Sequence, residues 1–124
     1  MKSVTYDKSF AFAVEIVQTA KRMSQRRQYE LANQLLRSGT SIGANVSESK
    51  YAESDRDFVS KLKIALKEAN ETKYWLRVLM LSEILSGKET QSLMDDAEEL
   101  VIILTSILKT KQENMSKQEN MSKQ

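Results

Sequence analysis

The sequence predicts an all-α protein, an up-down-up-down bundle of four helices. The first observation is composition, because 124 residues with three glycines and no proline offer few of the turns that a strand-rich fold needs. The second is periodicity, since apolar or small residues recur every three or four positions through four long segments. The third is that short polar links separate these segments, which favours antiparallel neighbours.

The third segment, residues 54–86, is the one on which the others are expected to pack. Its apolar or small residues alternate at spacings of four and three, which places them on one stripe of a helix. An isolated helix with this stripe exposed to water would not persist, so other segments must cover it. The stripe consists of Phe58, Leu62, Ala65, Ala69, Thr72, Leu76 and Leu79.

The first segment predicts a helix over residues 9–24, with Asp7 or Ser9 as its N-cap. One stripe of this helix is formed by Phe10, Ala13, Val14, Val17 and Ala20, with Phe12, Ile16 and Met23 beside it. The polar and basic segment 21–28 is expected to end the helix and turn the chain.

The second segment predicts a helix over residues 29–50 that contains two glycines. Gly39 and Gly43 each cost a helix about 1 kcal/mol relative to Ala, so their presence needs a reason. A Gly-x-x-x-Gly spacing either lets a neighbouring helix come close or marks a kink. We favour close approach.

The last two helices have clear start signals. Ser54 followed by Asp57 resembles a capping box and predicts the start of the third helix, and Gly87 is placed to end it. The fourth helix is predicted over residues 89–111. Its stripe consists of Leu93, Ala97, Leu100, Leu104 and Ile107. These helices form one domain, residues 1–111, and the repeated QENMSK of residues 112–124 is expected to be a frayed or disordered tail with no packed role.

Missing residue types exclude several classes of function. Without cysteine or histidine there is no disulfide, no thiolate nucleophile and no imidazole base. We therefore expect no catalytic residue, no cofactor, no metal site and no enzyme activity. The acidic group of Asp95, Asp96, Glu98 and Glu99 is expected to be a solvated helix face. The longest apolar run, 100–104, is far too short for a membrane span, and no signal peptide is visible, so we expect a cytoplasmic protein.

The chain has more apolar surface than one bundle core can cover. The surplus side chains predict either an unusually broad core edge or, as we favour, an interface between copies of the chain. Trp75, which could in principle stack on a base, is expected in the core or at that interface. The predicted interface residues are Ile64, Trp75, Val78, Val101, Ile102 and Ile103.

Two stretches resemble a known family. QLLRSGTSIGANVSES (34–49) and DFVSKLKIALKEANETKYWL (57–76) are similar to the 23S rRNA intervening-sequence proteins, four-helix bundles whose members are in some cases labelled ribosomal proteins. The matching residues are Gln34, Arg37, Ser41, Ile42, Asn45 and Glu48 in the second helix, and Phe58, Leu62, Ala65, Ala69 and Glu71 in the third. The chain departs from the usual pattern with Gly43 in place of Pro, Ser49 in place of Gly, and Lys67-Glu68 in place of Gly-Ser.

The resemblance implies a ring-like homopentamer of bundles and no established enzyme activity. The related accessory proteins of diversity-generating retroelements imply a basic surface that binds RNA or DNA, and a reverse transcriptase as a protein partner. The same residues suggest a buried polar seam that fixes helix register, rather than an active site with Glu48 as a general base. The predicted seam comprises Gln34, Arg37, Ser41, Asn45, Glu48 and Glu71.

Basic residues form two groups. Residues 1–50 carry eight Lys or Arg against four Asp or Glu, and the densest group is Lys21, Arg22, Arg26 and Arg27. The third helix adds Lys63, Lys67, Lys73 and Arg77. Our first hypothesis is a non-enzymatic, self-assembling scaffold that binds RNA phosphates through these cations without reading sequence. The alternative is a protein-binding adaptor or structural oligomer in which the cations are ordinary solvated charges.

Overall fold

The computed structural model describes residues 3–123, and these contain four α-helices and no strand. The helices are α1 (Val4–Gln25), α2 (Tyr29–Ser49), α3 (Asp55–Leu81) and α4 (Gly87–Ser122). Each packs against the next, and α1 also touches α4 over a shorter stretch, which closes the bundle. The prediction of an all-α four-helix protein is confirmed.

Contacts between helices show that successive helices run antiparallel. Ser38 on α2 meets Thr72 on α3, and Glu48, further along α2, meets Lys61, nearer the start of α3. Similarly, Lys111 near the end of α4 pairs with Asp55 at the start of α3. These pairings bring the end of α4 beside the beginning of α3.

Serine side chains begin three of the four helices. Ser3, Ser54 and Ser86 each accept a hydrogen bond from the backbone N–H three residues later. The cap at Ser3 explains why α1 begins five residues before the predicted 9. Gly87, predicted to end the third helix, instead begins α4, because Ser86 and Glu89 form a complete capping box.

The third helix ends earlier than predicted. The chain leaves α3 after Leu81, and Glu83 adopts a left-handed backbone with φ of 62°. Arg27 has the same conformation, with φ of 64°, in the turn after α1. In both turns a residue after the helix adopts the left-handed conformation that is common at helix C-termini. Because neither residue is the usual glycine, the sequence does not mark these helix ends.

The α3 stripe lies at the centre of the core, as predicted, with one exchange. Val59 takes the fully packed place at the start of the stripe, and Phe58 is only half-buried. The Nζ atom of Lys111 lies 5.5 Å from the centre of the Phe58 ring. The buried apolar residues of α3 are Val59, Leu62, Ala65, Ala69, Leu76 and Leu79.

The structure buries mainly one of the two apolar stripes of α1. Phe10, Val14 and Val17 are 57%, 45% and 44% exposed, whereas the neighbouring stripe is buried. The buried side chains of α1 are Thr5, Ser9, Phe12, Ile16, Thr19, Ala20 and Met23. Because this helix is apolar on two adjacent faces, its own pattern does not determine which face meets the bundle. The contact with α2 determines it.

The two glycines of α2 allow α1 to come close, as predicted. A Cβ atom at Gly39 would lie 2.7 Å from both Cγ atoms of Ile16, and one at Gly43 would lie 3.2 Å from the backbone oxygen of Ser9. The α2 helix runs unbroken past both positions. The face of α1 with Ser9 and Ile16 is therefore the one that fits against α2.

The structure differs from the prediction for the tail. Residues 112–122 continue α4 as helix, and Met115 is half-buried against the core. Met115 lies seven residues after Leu108 and so continues the buried stripe of α4 by two further turns. The second copy of the repeat is displaced by six residues, which turns Met121 away from that stripe and leaves it exposed.

Substitution of Gly39 by alanine tests the close approach of α1 and α2. Alanine favours a helix by about 1 kcal/mol, but overpacking a filled core costs about 1–3 kcal/mol. Since Ile16 is completely buried and its branched side chain has no room to move, we expect Gly39→Ala to lower the free energy of unfolding. Gly87→Ala is the control, because nothing lies within 4 Å of its added Cβ. Urea unfolding in which Gly39→Ala is as stable as wild type would contradict the close packing.

Candidate nucleic-acid interface

The eight predicted basic residues do not form one surface. Lys21, Arg22, Arg26 and Arg27 lie at the end of α1, whereas Lys63 and Lys67 lie on the first half of α3. Because α1 and α3 run parallel, the two groups lie towards opposite ends of the bundle. Lys73 pairs with Glu98 of α4 and so links two helices. Arg77 is exposed, one turn of α3 further along.

Arg26 is engaged in holding two parts of the chain together. Its Nη2 lies 3.1 Å from Oε1 of Glu89, and its Nη1 donates to the carbonyl oxygen of Ile84 at 3.5 Å. The other oxygen of Glu89 accepts from the backbone N–H of Ser86 at 2.8 Å. Arg26 thus fastens the end of α1 to the α3–α4 turn. We therefore remove it from the candidate phosphate-binding residues.

A groove between α3 and α4 collects the basic residues that remain. One cavity of about 650 Å³ is lined by Arg56, Lys63 and Lys67 from α3 together with residues of the last turns of α4. An adjoining cavity of about 660 Å³ is lined by Lys63 together with Lys109 and Lys117. The two cavities share Lys63, Gln112 and Ser116, so they form one continuous depression, which we call the α3–α4 groove.

The cations of the α3–α4 groove carry no ion pair. Within residues 3–123, seven salt bridges are present, and none of them involves the five basic side chains of the groove. The five are Arg56, Lys63, Lys67, Lys109 and Lys117. Glu113 and Glu119 also line the groove, so cations outnumber carboxylates five to two. The floor is apolar, with Val59, Ile64, Leu66, Leu108 and Met115.

Local sequence explains why the cations face outwards. The core stripe of α3 leaves positions 63, 67, 70, 74 and 77 on a second stripe of the same helix, at spacings of three and four. Lys67 and Tyr74 on this stripe are both exposed. On α4, the ion pair of Lys111 with Asp55, at 2.8 Å, and the packing of Met115 hold the last turns beside α3.

Sequence reasoning missed three residues of the groove. Arg56, Lys109 and Lys117 are isolated cations in the sequence, and Lys117 belongs to the repeat that was expected to be unstructured. One signal was available, because the α4 stripe continues at Met115 and predicts helix beyond 111. No local pattern in the sequence predicts which turns of α3 and α4 lie side by side.

The predicted polar seam lies at the surface between α2 and α3, not in the core. Gln34, Arg37 and Glu48 are exposed, and the other three residues are half-buried. Asn45 donates to the carbonyl oxygen of Ser41, within its own helix, at 2.8 Å. The buried polar contact between the helices is instead Ser38 with Thr72, whose hydroxyl oxygens lie 3.0 Å apart. The prediction of a buried network at the six seam residues is therefore wrong.

The seam does contain one ionic cluster that connects α2 with α3. Arg37 donates to Glu71 at 2.6 Å and to Glu68 at 3.4 Å. The hydrogen bond from Arg37 lowers the pKa of Glu71, whereas burial and the nearby carboxylate of Glu71 raise the pKa of Glu68. Through these two contacts the Arg37 side chain joins α2 to α3.

The acidic residues of α4 are also occupied. Glu98 pairs with Lys73, Glu99 pairs with Lys8, and Asp95 accepts from Gln91. Burial and the neighbouring carboxylates raise the pKa of Asp96. In the described part of the chain, no three potential metal ligands converge on one point.

The predicted interface side chains differ in exposure. Trp75 and Val101 pack against the bundle core, and the indole nitrogen of Trp75 is buried without a hydrogen-bond partner among residues 3–123. Val78 and Ile103 are half-buried. Ile64 lines the α3–α4 groove, and Ile102, at 61%, is the most exposed of the six.

None of the helices described is long and apolar enough to cross a bilayer.

Comparison with known proteins relates the chain to one family and to a solved structure. The family model described as 23S rRNA-intervening sequence protein matches residues 1–106. The crystal structure of a protein of unknown function from the S23 ribosomal protein family of Bacteroides thetaiotaomicron VPI-5482 is 46% identical, with a TM-score of 0.83. That alignment covers 86% of this chain and 99% of the other. The search of curated proteins found no match.

Substitution of Arg26 tests its structural role. Hydrogen bonds from the backbone of Ser86 and from Arg26 lower the pKa of Glu89 in the folded protein. The ionised Glu89 carboxylate therefore stabilises the folded state fully at pH values above about 4.3, the ordinary pKa of Glu in an unfolded chain. That stability is lost as the pH falls through the lowered folded pKa. We expect Arg26→Ala to reduce the free energy of unfolding at pH 7 by about 0.2–1 kcal/mol, and the deficit to shrink below about pH 4.

Lys21→Ala provides the matched control, because Lys21 is an exposed α1 cation without an ion pair in the described residues. Thermal or urea unfolding of both variants at pH 7 and pH 3.5 gives the comparison. Equal stability of Arg26→Ala and Lys21→Ala at pH 7 would show that the contact with Glu89 contributes nothing.

Proposed function

The chain belongs to the 23S rRNA-intervening sequence protein family, and from that premise we propose that it is a non-enzymatic helical scaffold that binds RNA. The name of the family refers to an intervening sequence of 23S rRNA, which makes RNA the first nucleic acid to consider. The proposal places the protein in the cytoplasm, where ribosomal RNA is found. Binding would occur through phosphate groups and would not depend on base sequence.

The observation that carries this proposal is the α3–α4 groove. A cation that already faces a carboxylate brings less net positive charge to a phosphate than one that does not. None of the five groove cations lies within salt-bridge distance of a carboxylate in the described residues, although Lys67 is close enough to Glu68 and Glu71 to interact with both charges. The five surround a depression of a size that holds a ligand. Cations placed together in this way supply the counterion-release term that dominates affinity for nucleic acid.

Self-association is the second part of the proposal. Phe10, Val14 and Val17 form an exposed apolar stripe on α1, and Ile102 is exposed on α4. Side chains of this kind favour contact with further apolar surface. The family resemblance implies five copies in a ring, and a ring would repeat the groove around its axis. A protein-binding adaptor remains the alternative function, since the same apolar stripe suits a protein partner.

The main test compares two triple substitutions that remove the same charge. Arg56→Gln/Lys63→Gln/Lys67→Gln neutralises the α3 side of the groove, and Lys21→Gln/Arg22→Gln/Arg27→Gln neutralises the end of α1. We expect wild type to bind a structured RNA fragment at 50 mM salt and to weaken steeply by 200 mM salt. The groove variant should weaken binding at least about tenfold at 50 mM salt and reduce the salt slope by about 2–3, with little change in the α1 variant.

Two results would count against RNA binding through the groove. Equal loss in the two variants would show that only total charge matters. No binding by wild type at 50 mM salt would reject RNA binding altogether and favour the adaptor. Circular dichroism serves in each case to check that the variants remain helical.

Self-association is tested by the substitution Ile102→Glu. A charge at this exposed apolar position should not disturb the bundle, but it should be costly in an interface between copies. We expect sedimentation velocity to show an oligomer for wild type and smaller species for Ile102→Glu. Gln118→Glu, exposed on nearly the opposite side of α4, is the control and should leave the oligomer unchanged. A wild type that sediments as a single chain at micromolar concentration would refute self-association.

A further inference from the structure

We propose that the last turns of α4, residues 107–122, form the second wall of a site for single-stranded nucleic acid. This inference rests on the proposed function, but it concerns a different part of the chain. The family model ends at residue 106, whereas α4 continues to Ser122. The last turns of α4 are therefore an addition to the part of the chain that the family model describes.

The extension turns an exposed face of α3 into a two-sided groove. Without it, Arg56, Lys63 and Lys67 would lie on the outer surface of one helix. The extension places Lys109 and Lys117 opposite them, and Gln112 and Ser116 between the two sets. The five groove cations, three from α3 and two from α4, would thus flank a strand that runs along the groove.

The width of the groove favours one strand over a duplex. Packed helices have axes about 8–10 Å apart, so the depression between two of them is about one side chain wide. A nucleic-acid duplex is much broader, since the major groove of B-DNA alone is about 12 Å wide. A duplex would touch one wall or the other at its rim, whereas a single strand can contact both walls at once.

The chemistry of the groove suits a strand without regard to its sequence. Single-strand sites combine cations along the backbone with apolar or aromatic surface for the bases. Here the floor offers Val59, Ile64 and Met115, and the exposed ring of Tyr74 lies further along the same stripe of α3 as Lys67. Few of these groups can read base edges by hydrogen bonding, so the site is expected to bind RNA and DNA strands alike.

The extension is fixed in place before any strand binds. Met115 packs against the core, and the salt bridge of Lys111 with Asp55 joins α4 to the first turn of α3. The Lys111 ammonium also lies over the Phe58 ring. Because both walls are ordered by contacts of their own, little conformational freedom of the backbone is lost on binding.

The experiment substitutes the α4 wall alone, in the full chain. Lys109→Gln/Lys117→Gln removes its two cations, and Lys21→Gln/Lys88→Gln removes the same charge from exposed positions on α1 and at the start of α4, outside the groove. The probes are a 20-nucleotide single-stranded RNA, a DNA strand of the same sequence, and the corresponding RNA duplex. Fluorescence anisotropy at several salt concentrations gives the dissociation constant and the salt slope.

We expect wild type to bind both single strands more tightly than the duplex. Lys109→Gln/Lys117→Gln should weaken single-strand binding about three- to tenfold and reduce the salt slope by about 1.4, which is the value for two phosphate contacts on a single strand. Lys21→Gln/Lys88→Gln should bind as wild type does. Equal affinity for duplex and single strand, or wild-type binding by Lys109→Gln/Lys117→Gln, would overturn the inference.

The outcomes also separate this inference from the proposed function. If wild type binds RNA and only the α3-wall variant is weakened, the scaffold proposal stands and the role of the α4 extension is refuted. If wild type binds no probe at low salt, both are refuted.

Discussion

The burial of one stripe of α3 determines the rest of this structure. Leu62, Ala65, Ala69, Leu76 and Leu79 are covered by the other helices, and the small residues among them let those helices approach closely. The one polar side chain in this stripe, Thr72, reaches Ser38 of α2 and its own helix, so no hydroxyl is left without a partner. With this stripe facing inwards, the spacing of α3 directs Lys63, Lys67 and Tyr74 outwards. The same helical periodicity therefore places the core residues on one side of α3 and the candidate-site residues on the other.

The sequence predicted most where a helix has only one apolar stripe. The centre of α3 and the close approach at Gly39 and Gly43 were both foreseen, because each has a local cause. The face of α1 was not foreseen, because Phe10, Val14 and Val17 compete with a second stripe of similar hydrophobicity. Steric fit against the glycines of α2 decides between them, and that fit joins Ile16 to Gly39 and Ser9 to Gly43, residues far apart in the sequence. The helical tail could have been foreseen from Met115, although its low hydrophobicity obscured the pattern.

The candidate site was harder to predict, because residues that are close in sequence are not those that act together. The densest basic segment, Lys21 to Arg27, includes Arg26, which fastens the turn after α3 to the end of α1. In the groove, by contrast, Arg56 and Lys117 are far apart in sequence and are brought together by the antiparallel match of α3 with α4. A count of charges along the sequence gives equal weight to cations in ion pairs and to cations outside them. The structure is needed to tell the two kinds apart.

The end of α4 contributes only a small part of the bundle core. Of the described residues after 106, where the family model ends, Leu108 is buried and Ile107 and Met115 are half-buried against the core. A turn added beyond Leu108 changes the groove with little effect on that core, because Met115 is the one apolar residue described after 108 that packs against it. Each further turn adds about 5.4 Å of wall and room for a cation. If the groove binds a strand as proposed, the length and charge of α4 would adjust that affinity at small cost to stability, which a change within the core stripe of α3 could not do.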